Sequence, residues 1–262
     1  MDIRLVVTDL DGTLLSPDRT ISDRAVEAIG RQREKGVLFT FATGRPWCAT
    51  ERFAARCGID IPVITCNGAV INRGYDMLWR SPMPLEPLRE LLERAVNDGL
   101  TALYSQAGRE AAMSETDWTR QRNYPVHFPA DEEWAALAAD KVNLISGEKK
   151  AEFRELIPIF HKLRDRYKFV CYTDIGCEIS AADVNKASAL ERYATSQNIA
   201  LSQVMAVGDN ENDLEMHRLA GTGVAVGNDT EAAKAAAGYV CRACNTDGVV
   251  EAIEKFCLEV EP

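Results

Sequence analysis

This chain of 262 residues contains few histidines. It also lacks an excess of positive charge and has no long apolar runs. Acidic residues outnumber basic ones by 40 to 30, and the net charge of −10 argues against nucleic acid or an anionic membrane as a partner. No apolar run is long enough to span a bilayer, and the chain opens on a strand pattern instead of a secretory signal. We therefore expect a cytoplasmic protein with neither kind of partner, as a monomer or a small homo-oligomer.

The cysteines and histidines do not form the pattern of a metal site. Eight cysteines include the pair Cys241 and Cys244, but a zinc site needs a second pair or histidines at suitable spacing. The three histidines, His127, His161 and His217, are scattered along the chain. In a reducing compartment we expect most of the cysteines to be buried apolar residues or free thiols.

Two aspartates directly follow the first apolar segment. The run from Leu5 to Thr8 leads into Asp9, and Asp11 stands two residues further on. A sharp turn at Gly12 can bring both carboxyl groups to the end of the strand. An aspartate can attack phosphorus, and a second carboxyl can protonate a leaving group and later deprotonate water. These residues are also common in ordinary turns, so the segment alone leaves both interpretations open.

Three further segments place polar residues after an apolar run or at the start of a helical pattern. They are Thr43-Gly44-Arg45, Lys186, and Asp209 with Asn212 and Asp213. The N-terminus of a helix can bind an anion, and hard oxygen ligands at the end of a strand suit Mg²⁺. Taken singly, each segment also has an ordinary explanation, such as a helix cap or a solvated lysine.

Together and in this order, the four segments resemble the motifs of the haloacid dehalogenase superfamily of phosphotransferases. Asp9-Leu-Asp-Gly-Thr13 matches the first motif residue for residue, and Gly208-Asp-Asn-Glu-Asn-Asp213 matches the fourth. Ala187 departs from the family, which usually has glycine after the lysine. The most similar subgroup is the Cof-like type with a C2-type α/β cap, in which the segment around Asn67 also has a counterpart.

The resemblance implies a phosphatase that hydrolyses a small phosphorylated metabolite, most readily a sugar phosphate, through an aspartyl-phosphate intermediate with Mg²⁺ as cofactor. A phosphomutase of the same superfamily and a non-catalytic phosphate-ligand sensor are the alternatives. The resemblance assigns these roles: Asp9 as nucleophile, Asp11 as acid and base, Lys186 as the neutralising cation, Thr43, Gly44, Asn67 and Arg45 as phosphate contacts, Asp9, Asp209 and the backbone carbonyl of Asp11 as metal ligands, and Asn212 and Asp213 beside those ligands.

The pattern of the chain predicts an α/β fold with two domains. Residues 1–81 and 184–262 alternate strands and helices, which is typical of a doubly wound parallel sheet and gives a Rossmann-like catalytic core. Residues 82–183 carry patterns of further helices and strands, with Pro158 kinking or splitting the second helix, and the resemblance implies that they form an inserted, smaller α/β cap that sets substrate specificity. Predicted core helices span Ser22–Lys35, Trp47–Cys57, Glu211–Leu219 and Asp247–Leu258. Candidate cap contacts to the leaving group are Arg109, Trp118, Arg120, Arg122 and Tyr124.

Overall fold

A computed structural model describes residues 2–258 of the chain and divides them into two units. The core unit comprises the described residues up to Leu78 and from Asn185 onward, and the inserted unit comprises Trp79–Val184. The roles assigned to these parts, a catalytic core and a specificity cap with boundaries after residues 81 and 183, stay predictions. No helix of the described residues is long and apolar enough to cross a bilayer.

Both units contain strands as well as helices. In chain order, the strands are β1 (Leu5–Thr8), β2 (Leu38–Phe41), β3 (Val63–Thr65), β4 (Val70–Arg73), β5 (Asp76–Arg80), β6 (Met83–Pro84), β7 (Thr101–Gln106), β8 (Arg109–Ala112), β9 (Ala138–Ala139), β10 (Lys141–Ile145), β11 (Tyr167–Tyr172), β12 (Gly176–Ala181), β13 (Val204–Gly208), β14 (Thr222–Ala225) and β15 (Tyr239–Val240). The helices are α1 (Asp23–Glu34), α2 (Trp47–Arg56), α3 (Arg89–Asn97), α4 (Asp117–Gln121), α5 (Lys150–Glu155), α6 (Ile157–Leu163), α7 (Lys186–Ser196), α8 (Leu214–Leu219), α9 (Glu231–Ala236) and α10 (Asn245–Ile253).

The core unit is built on a five-stranded parallel sheet in the order β15-β14-β13-β1-β2. The central strand β1 pairs with β13 on one side and with β2 on the other, with Thr8 opposite Val207 and Phe41. Such strands are buried on both faces, which explains their continuous apolar sequences. The predicted α/β fold with a parallel-sheet core is confirmed. Because parallel strands end at the same edge of a sheet, residues that follow β1, β2 and β13 meet there.

The helix boundaries follow local capping. The Ser22 hydroxyl accepts a hydrogen bond from the backbone N–H of Ala25 at 3.2 Å, so α1 begins at the predicted position. Gly36 follows its end with a φ of 83°, a left-handed conformation that suits glycine.

Two predicted core helices differ from the structure. The helix expected over Glu211–Leu219 begins as a 3₁₀ turn, and only the segment from Leu214 onward is α-helical, because the Asp213 side chain accepts hydrogen bonds from the backbone that precedes the turn. The last helix, expected over Asp247–Leu258, starts two residues earlier as α10 and changes to a π-helical turn from Glu254 to Leu258.

The inserted unit has its own antiparallel sheet in the order β11-β12-β10-β7-β8. Alternate side chains of these strands, including Val142 and Leu144, are buried in an apolar cluster with residues of α3, α5 and α6. The chain splits between α5 and α6 at Leu156, two residues before Pro158, as predicted. Strand β8 was not predicted, because its sequence of Arg, Glu and two Ala has no apolar alternation.

A buried leucine of the central strand provides a stability test. Leu5 has no exposed surface, whereas Leu78 is 59% exposed. We expect Leu5→Ala to lower the free energy of unfolding by about 2–5 kcal/mol, since it leaves a cavity in close-packed surroundings. The matched control Leu78→Ala should change it by less than about 0.5 kcal/mol. Urea denaturation of the two variants measures both values, and equal losses would contradict the packing described for β1.

Candidate active site

A buried ammonium group lies between two carboxylates at the edge where the parallel strands end. The Lys186 Nζ atom is 2.9 Å from Asp9 Oδ1 and 2.8 Å from Asp213 Oδ1. The side chains of Lys186 and Asp213 have no exposed surface, and that of Asp9 is 7% exposed. Three residues from distant parts of the chain therefore share one charge-compensated cluster, which we call the lysine cluster.

The start of α7 positions the lysine. Lys186 is the first residue of this helix, and the preceding Asn185 caps it by accepting a hydrogen bond from the backbone N–H of Ser188 at 2.7 Å. A β-carbon on Gly68 would lie 2.2 Å from the Asn185 carbonyl oxygen, so glycine permits this close approach. A cation is unfavourable at the N-terminus of a helix, and the two carboxylates offset that cost.

Burial and charge act in opposite directions on the lysine cluster. Burial would lower the pKa of Lys186, but the carboxylates of Asp213 and Asp9 outweigh it and raise that pKa above its usual value. Burial raises the pKa of Asp9, and the Lys186 ammonium opposes this rise. We take the ion pair as the resting state, because Asp9 Oδ1 lies 2.9 Å from the Lys186 ammonium and an ionised carboxylate accepts such a hydrogen bond more strongly than a protonated one.

Asp209 lies beside the turn that follows β1. The Thr13 hydroxyl donates a hydrogen bond of 2.6 Å to Asp209 Oδ1. A β-carbon on Gly12 would lie 2.0 Å from Asp209 Oδ2, so this position requires glycine for space as well as for its φ of 80°. Burial raises the pKa of Asp209 to about 6, although the Thr13 hydrogen bond opposes the rise.

Asp11 forms a two-bond ion pair with Arg45. The Arg45 Nε and Nη2 atoms donate to the two carboxylate oxygens of Asp11 at 2.6 and 2.5 Å. The guanidinium also lies over the Phe53 ring, 5.2 Å from its centroid. Burial would raise the pKa of Asp11, but the hydrogen bonds and charge of Arg45 outweigh it and hold that pKa below its usual value. The resting Asp11 is therefore a carboxylate.

The residues predicted to contact phosphate lie on two adjoining loops. The backbone N–H of Arg45 donates a hydrogen bond of 3.2 Å to the Thr43 hydroxyl. The backbone N–H of Asn67 donates one of 3.0 Å to the Thr43 carbonyl oxygen. A β-carbon on Gly44 would lie 3.0 Å from Asn67 Oδ1. Asn212 donates to the same Asn67 oxygen at 3.2 Å, while its own Oδ1 is buried and accepts no hydrogen bond from the described residues.

Contacts thus link all the residues that the sequence assigned to the site. The first motif meets the second through Asp11 and Arg45, and meets the third and fourth through the lysine cluster. Asn67 joins the second motif to Asn212. Their individual roles in binding and catalysis stay predictions.

Three carboxylates can hold a metal ion at this place. Ligand oxygens of Asp9, Asp209 and Asp213 all lie within 4.8 Å of one another. Asp213 already accepts hydrogen bonds from Lys186 and from the backbone N–H groups of Asp209 and Asn210. Asp9 and Asp209 are therefore the better placed direct ligands, and oxygen donors of this kind suit Mg²⁺.

Sequence reasoning missed three residues beside the site. The side-chain amides of Asn228 and Asn245 both donate to the Gly12 carbonyl oxygen, at 2.8 and 2.7 Å, and so hold the turn after β1. Asp229 is buried, and burial raises its pKa to about 7. The signal was available for two of them, because Asn228 and Asp229 follow β14, another strand of the parallel sheet.

Three of the five candidate residues of the inserted unit contact one another. The Trp118 and Tyr124 rings are 5.3 Å apart, the Arg122 guanidinium lies 4.2 Å above Trp118, and Arg109 opens β8. Arg120 pairs with Glu115 and Asp117 at the surface. Their contact with a leaving group stays a prediction.

The order and chemistry of these motifs correspond to a known family. Residues 6–253 match the family model of the haloacid dehalogenase-like hydrolases. The chain belongs to this family. The predicted family membership is therefore confirmed, and the match spans both units.

The relatives of this haloacid dehalogenase-like hydrolase are phosphatases. The chain is 30% identical to pyridoxal phosphate phosphatase YbhA of Escherichia coli, over 97% of this chain and 98% of that protein. It is 29% identical to the 5-amino-6-(5-phospho-D-ribitylamino)uracil phosphatase YcsE of Bacillus subtilis, over 98% and 97%. A solved haloacid dehalogenase-like hydrolase from Bacteroides thetaiotaomicron superposes with a TM-score of 0.81 at 26% identity, over 97% and 99% of the two chains. The predicted enzyme class, a phosphatase of this family, is confirmed.

The lysine cluster predicts a large and pH-dependent loss of stability in Lys186→Met. At neutral pH we expect the free energy of unfolding to fall by about 3–5 kcal/mol, because two buried carboxylates lose their cation. Without the cation, burial acts unopposed on Asp9, and its pKa in the folded state rises above that in the unfolded chain. The folded state then binds protons more readily, so the deficit should shrink as the pH falls and grow as it rises.

Lys234→Met is the matched control. The Lys234 ammonium is 3.1 Å from Glu231 in a surface pair, whose loss should cost less than about 1 kcal/mol at any pH. Chemical denaturation at several pH values measures both variants. Equal, pH-independent losses would contradict the assignment of a buried charge cluster.

Proposed function

We propose that the chain is a Mg²⁺-dependent phosphomonoester hydrolase that forms an aspartyl phosphate on Asp9. One observation supports the proposal above all: the lysine cluster lies next to the turn that contains Asp11. Lys186 fixes the position of the proposed nucleophile, Asp9, and Asp11 supplies a second carboxyl group nearby. The names of two relatives specify pyridoxal phosphate and a phosphorylated ribitylamino-uracil as substrates, which supports a small phosphorylated metabolite here. We propose a sugar phosphate or a related compound as the substrate.

The donor set fits a divalent cation. Asp9, Asp209 and the backbone carbonyl of Asp11 would hold it, and Gly12 leaves the space that a side chain would take from the Asp209 carboxylate. A bound Mg²⁺ would neutralise charge on the phosphate oxygens during transfer. Within residues 2–258, one fully buried cation, the Lys186 ammonium, faces three nearby carboxylates in this cluster.

In the first step, an oxygen of Asp9 attacks phosphorus and the bond to the leaving oxygen breaks. Asp11 gives a proton to that oxygen, and the alcohol departs. Lys186 orients Asp9 through its 2.9 Å contact and balances its charge where both side chains are almost fully buried.

In the second step, Asp11 removes a proton from a water molecule, which attacks phosphorus. The bond between phosphorus and Asp9 breaks, and inorganic phosphate and the Asp9 carboxylate are restored. The Thr43 hydroxyl, backbone N–H groups near Gly44 and the Asn67 side-chain amide, which lie on two adjoining loops, hold the phosphate oxygens.

Arg45 controls the proton that the first step needs. Its two hydrogen bonds keep Asp11 ionised at rest, and an ionised carboxylate cannot act as an acid. A substrate phosphate offers Arg45 another anion, so binding would release Asp11 to take up a proton. Arg45 thus has two proposed roles: it binds the substrate phosphate, and it determines when Asp11 can take up a proton.

The location, oligomeric state and partners of the enzyme are proposed from its sequence. We place the enzyme in the cytoplasm as a monomer or small homo-oligomer, without a nucleic-acid or membrane partner. Selection of the leaving group is assigned to the inserted unit, as the family resemblance implies.

Replacing the nucleophile should abolish turnover. We expect wild type to release inorganic phosphate from p-nitrophenyl phosphate and from a sugar phosphate with Mg²⁺, and to stop after EDTA treatment. Asp9→Asn should release none above background with a retained circular dichroism spectrum, because an amide cannot form the intermediate. The control Asp60→Asn, at a side chain 79% exposed, should match wild type.

The outcomes separate the rival functions. Substantial release by Asp9→Asn would overturn the nucleophile assignment. Isomerisation of a sugar phosphate without net phosphate release would identify a phosphomutase, and silence in all assays with intact Mg²⁺ binding would favour a phosphate-ligand sensor.

Arg45→Gln should move the basic limb of the kcat/KM profile to higher pH. Removing Arg45 raises the pKa of Asp11, so its protonated form persists to higher pH. Arg52→Gln is the control, since the Arg52 guanidinium also lies over Phe53, at 4.5 Å, but forms no ion pair with Asp11 among the described residues. A basic limb that stays in place in Arg45→Gln would exclude Asp11 as the acid.

A further inference from the structure

Two cysteines face each other across a hairpin of the inserted unit. In the antiparallel register of β11 and β12, Cys171 lies directly opposite Cys177. Their Sγ atoms are 2.8 Å apart, and both thiols are free. Neither residue belongs to the cluster of candidate active-site residues.

The register suits a covalent bond. Directly opposite residues of an antiparallel pair have Cα atoms about 4.5 to 5.5 Å apart. A disulfide requires Cα atoms about 4.4 to 6.8 Å apart, so this position already meets the requirement without a change of backbone. Few pairs of cysteines in a chain satisfy this condition by chance.

The two thiols differ in exposure and in acidity. Cys171 is exposed near the end of the edge strand β11, whereas Cys177 is 1% exposed within the apolar cluster of the inserted unit. The contact with Cys177 lowers the pKa of the Cys171 thiol, and the same contact together with burial raises that of Cys177. An accessible, acidic thiol beside a protected one is the arrangement of a reactive cysteine and its resolving partner.

The surroundings of Cys171 indicate which reagent can reach it. Cys171 lines an open cavity of about 450 Å³ together with His161 and Arg164. The Arg164 guanidinium carries a permanent positive charge that attracts anions. The cavity therefore favours an anionic small molecule over a neutral one.

Cys241 and Cys244 also combine a buried and an exposed thiol, but the described residues show no contact between their sulfurs. Cys241 and Cys244 have a spacing typical of redox motifs, but the Cys241 sulfur is buried, lies 3.2 Å from the Gly248 carbonyl oxygen, and has its pKa raised to about 12 by burial. Burial likewise raises the pKa of Cys57 to about 12 and that of Cys257 to about 11. Buried thiols of this kind are poor first nucleophiles toward a reagent in solution, so the initial attack falls to an exposed thiol such as Cys171.

We propose that Cys171 and Cys177 are a redox-active dithiol that anionic small-molecule disulfides oxidise to a cross-strand disulfide. The Cys171 thiolate attacks one sulfur of the reagent, whose S–S bond breaks and releases one thiolate. The Cys177 thiol then loses its proton and attacks the Cys171 sulfur, displacing the second thiolate. The protein loses two electrons and two protons, and the reagent is reduced to two thiols.

The test uses the reduced full-length protein with oxidised glutathione as the anionic disulfide. After alkylation and digestion, mass spectrometry should find a peptide linked through Cys171 and Cys177 that has lost two hydrogen atoms. Cys177→Ala should stop at a glutathione adduct on Cys171. Cys171→Ser, at an exposed position that folding tolerates, should give neither product, and the control Cys48→Ser should behave as wild type.

Reagent charge and salt test the second part of the proposal. Raising the ionic strength should slow the reaction with oxidised glutathione and leave that with neutral hydroxyethyl disulfide nearly unchanged. The dithiol assignment would be overturned if the first disulfide to form joined Cys241 to Cys244. It would also be overturned if the glutathione adduct in Cys177→Ala formed on a cysteine other than Cys171. Equal salt dependence for the two reagents would overturn the preference for anions.

Discussion

The active-site end of the core unit depends on one interaction, the contact of the buried Lys186 ammonium with two carboxylates. An isolated charge at this depth would be very costly, and so would either aspartate without its cation. The three groups therefore stabilise one another only as a set. Because Asp9 follows β1, Lys186 begins α7 and Asp213 precedes α8, the same set fixes the relative positions of a strand end and two helix starts.

Close packing of the backbone makes this set possible. Gly12, Gly68 and Gly208 stand where a β-carbon would lie between 2.0 and 2.5 Å from Asp209, Asn185 and Asp213 respectively. Gly12 and Gly68 each let one loop approach a residue of another, and Gly208 lets the Asp213 side chain lie against the end of β13. The site is assembled by loops in contact, while the parallel sheet beneath them provides the common edge.

Much of this arrangement could be predicted from the sequence, and the reason is physical. Acidic and hydroxyl residues after apolar strands have few alternatives to the sheet edge, so Asp9, Asp209 and the strands behind them were identified correctly as neighbours. Pairings between side chains could not be predicted, since the ion pair of Arg45 with Asp11 and the amide contacts of Asn228 depend on loop geometry. The cysteines show the same limit. The spacing of Cys241 and Cys244 drew attention, yet the strand register brings Cys171 to Cys177.

The two oxygens of Asp213 have different partners, and this has a thermodynamic consequence. Oδ1 accepts from the Lys186 ammonium, while Oδ2 accepts from the backbone N–H groups of Asp209 and Asn210. One rigid carboxylate thereby joins the charge on the lysine to the orientation of the loop that carries a proposed metal ligand. Under the proposed Mg²⁺ binding, cation affinity and lysine protonation would be linked: cation binding would change the free energy of protonating Lys186 by the same amount that protonation changes the free energy of cation binding.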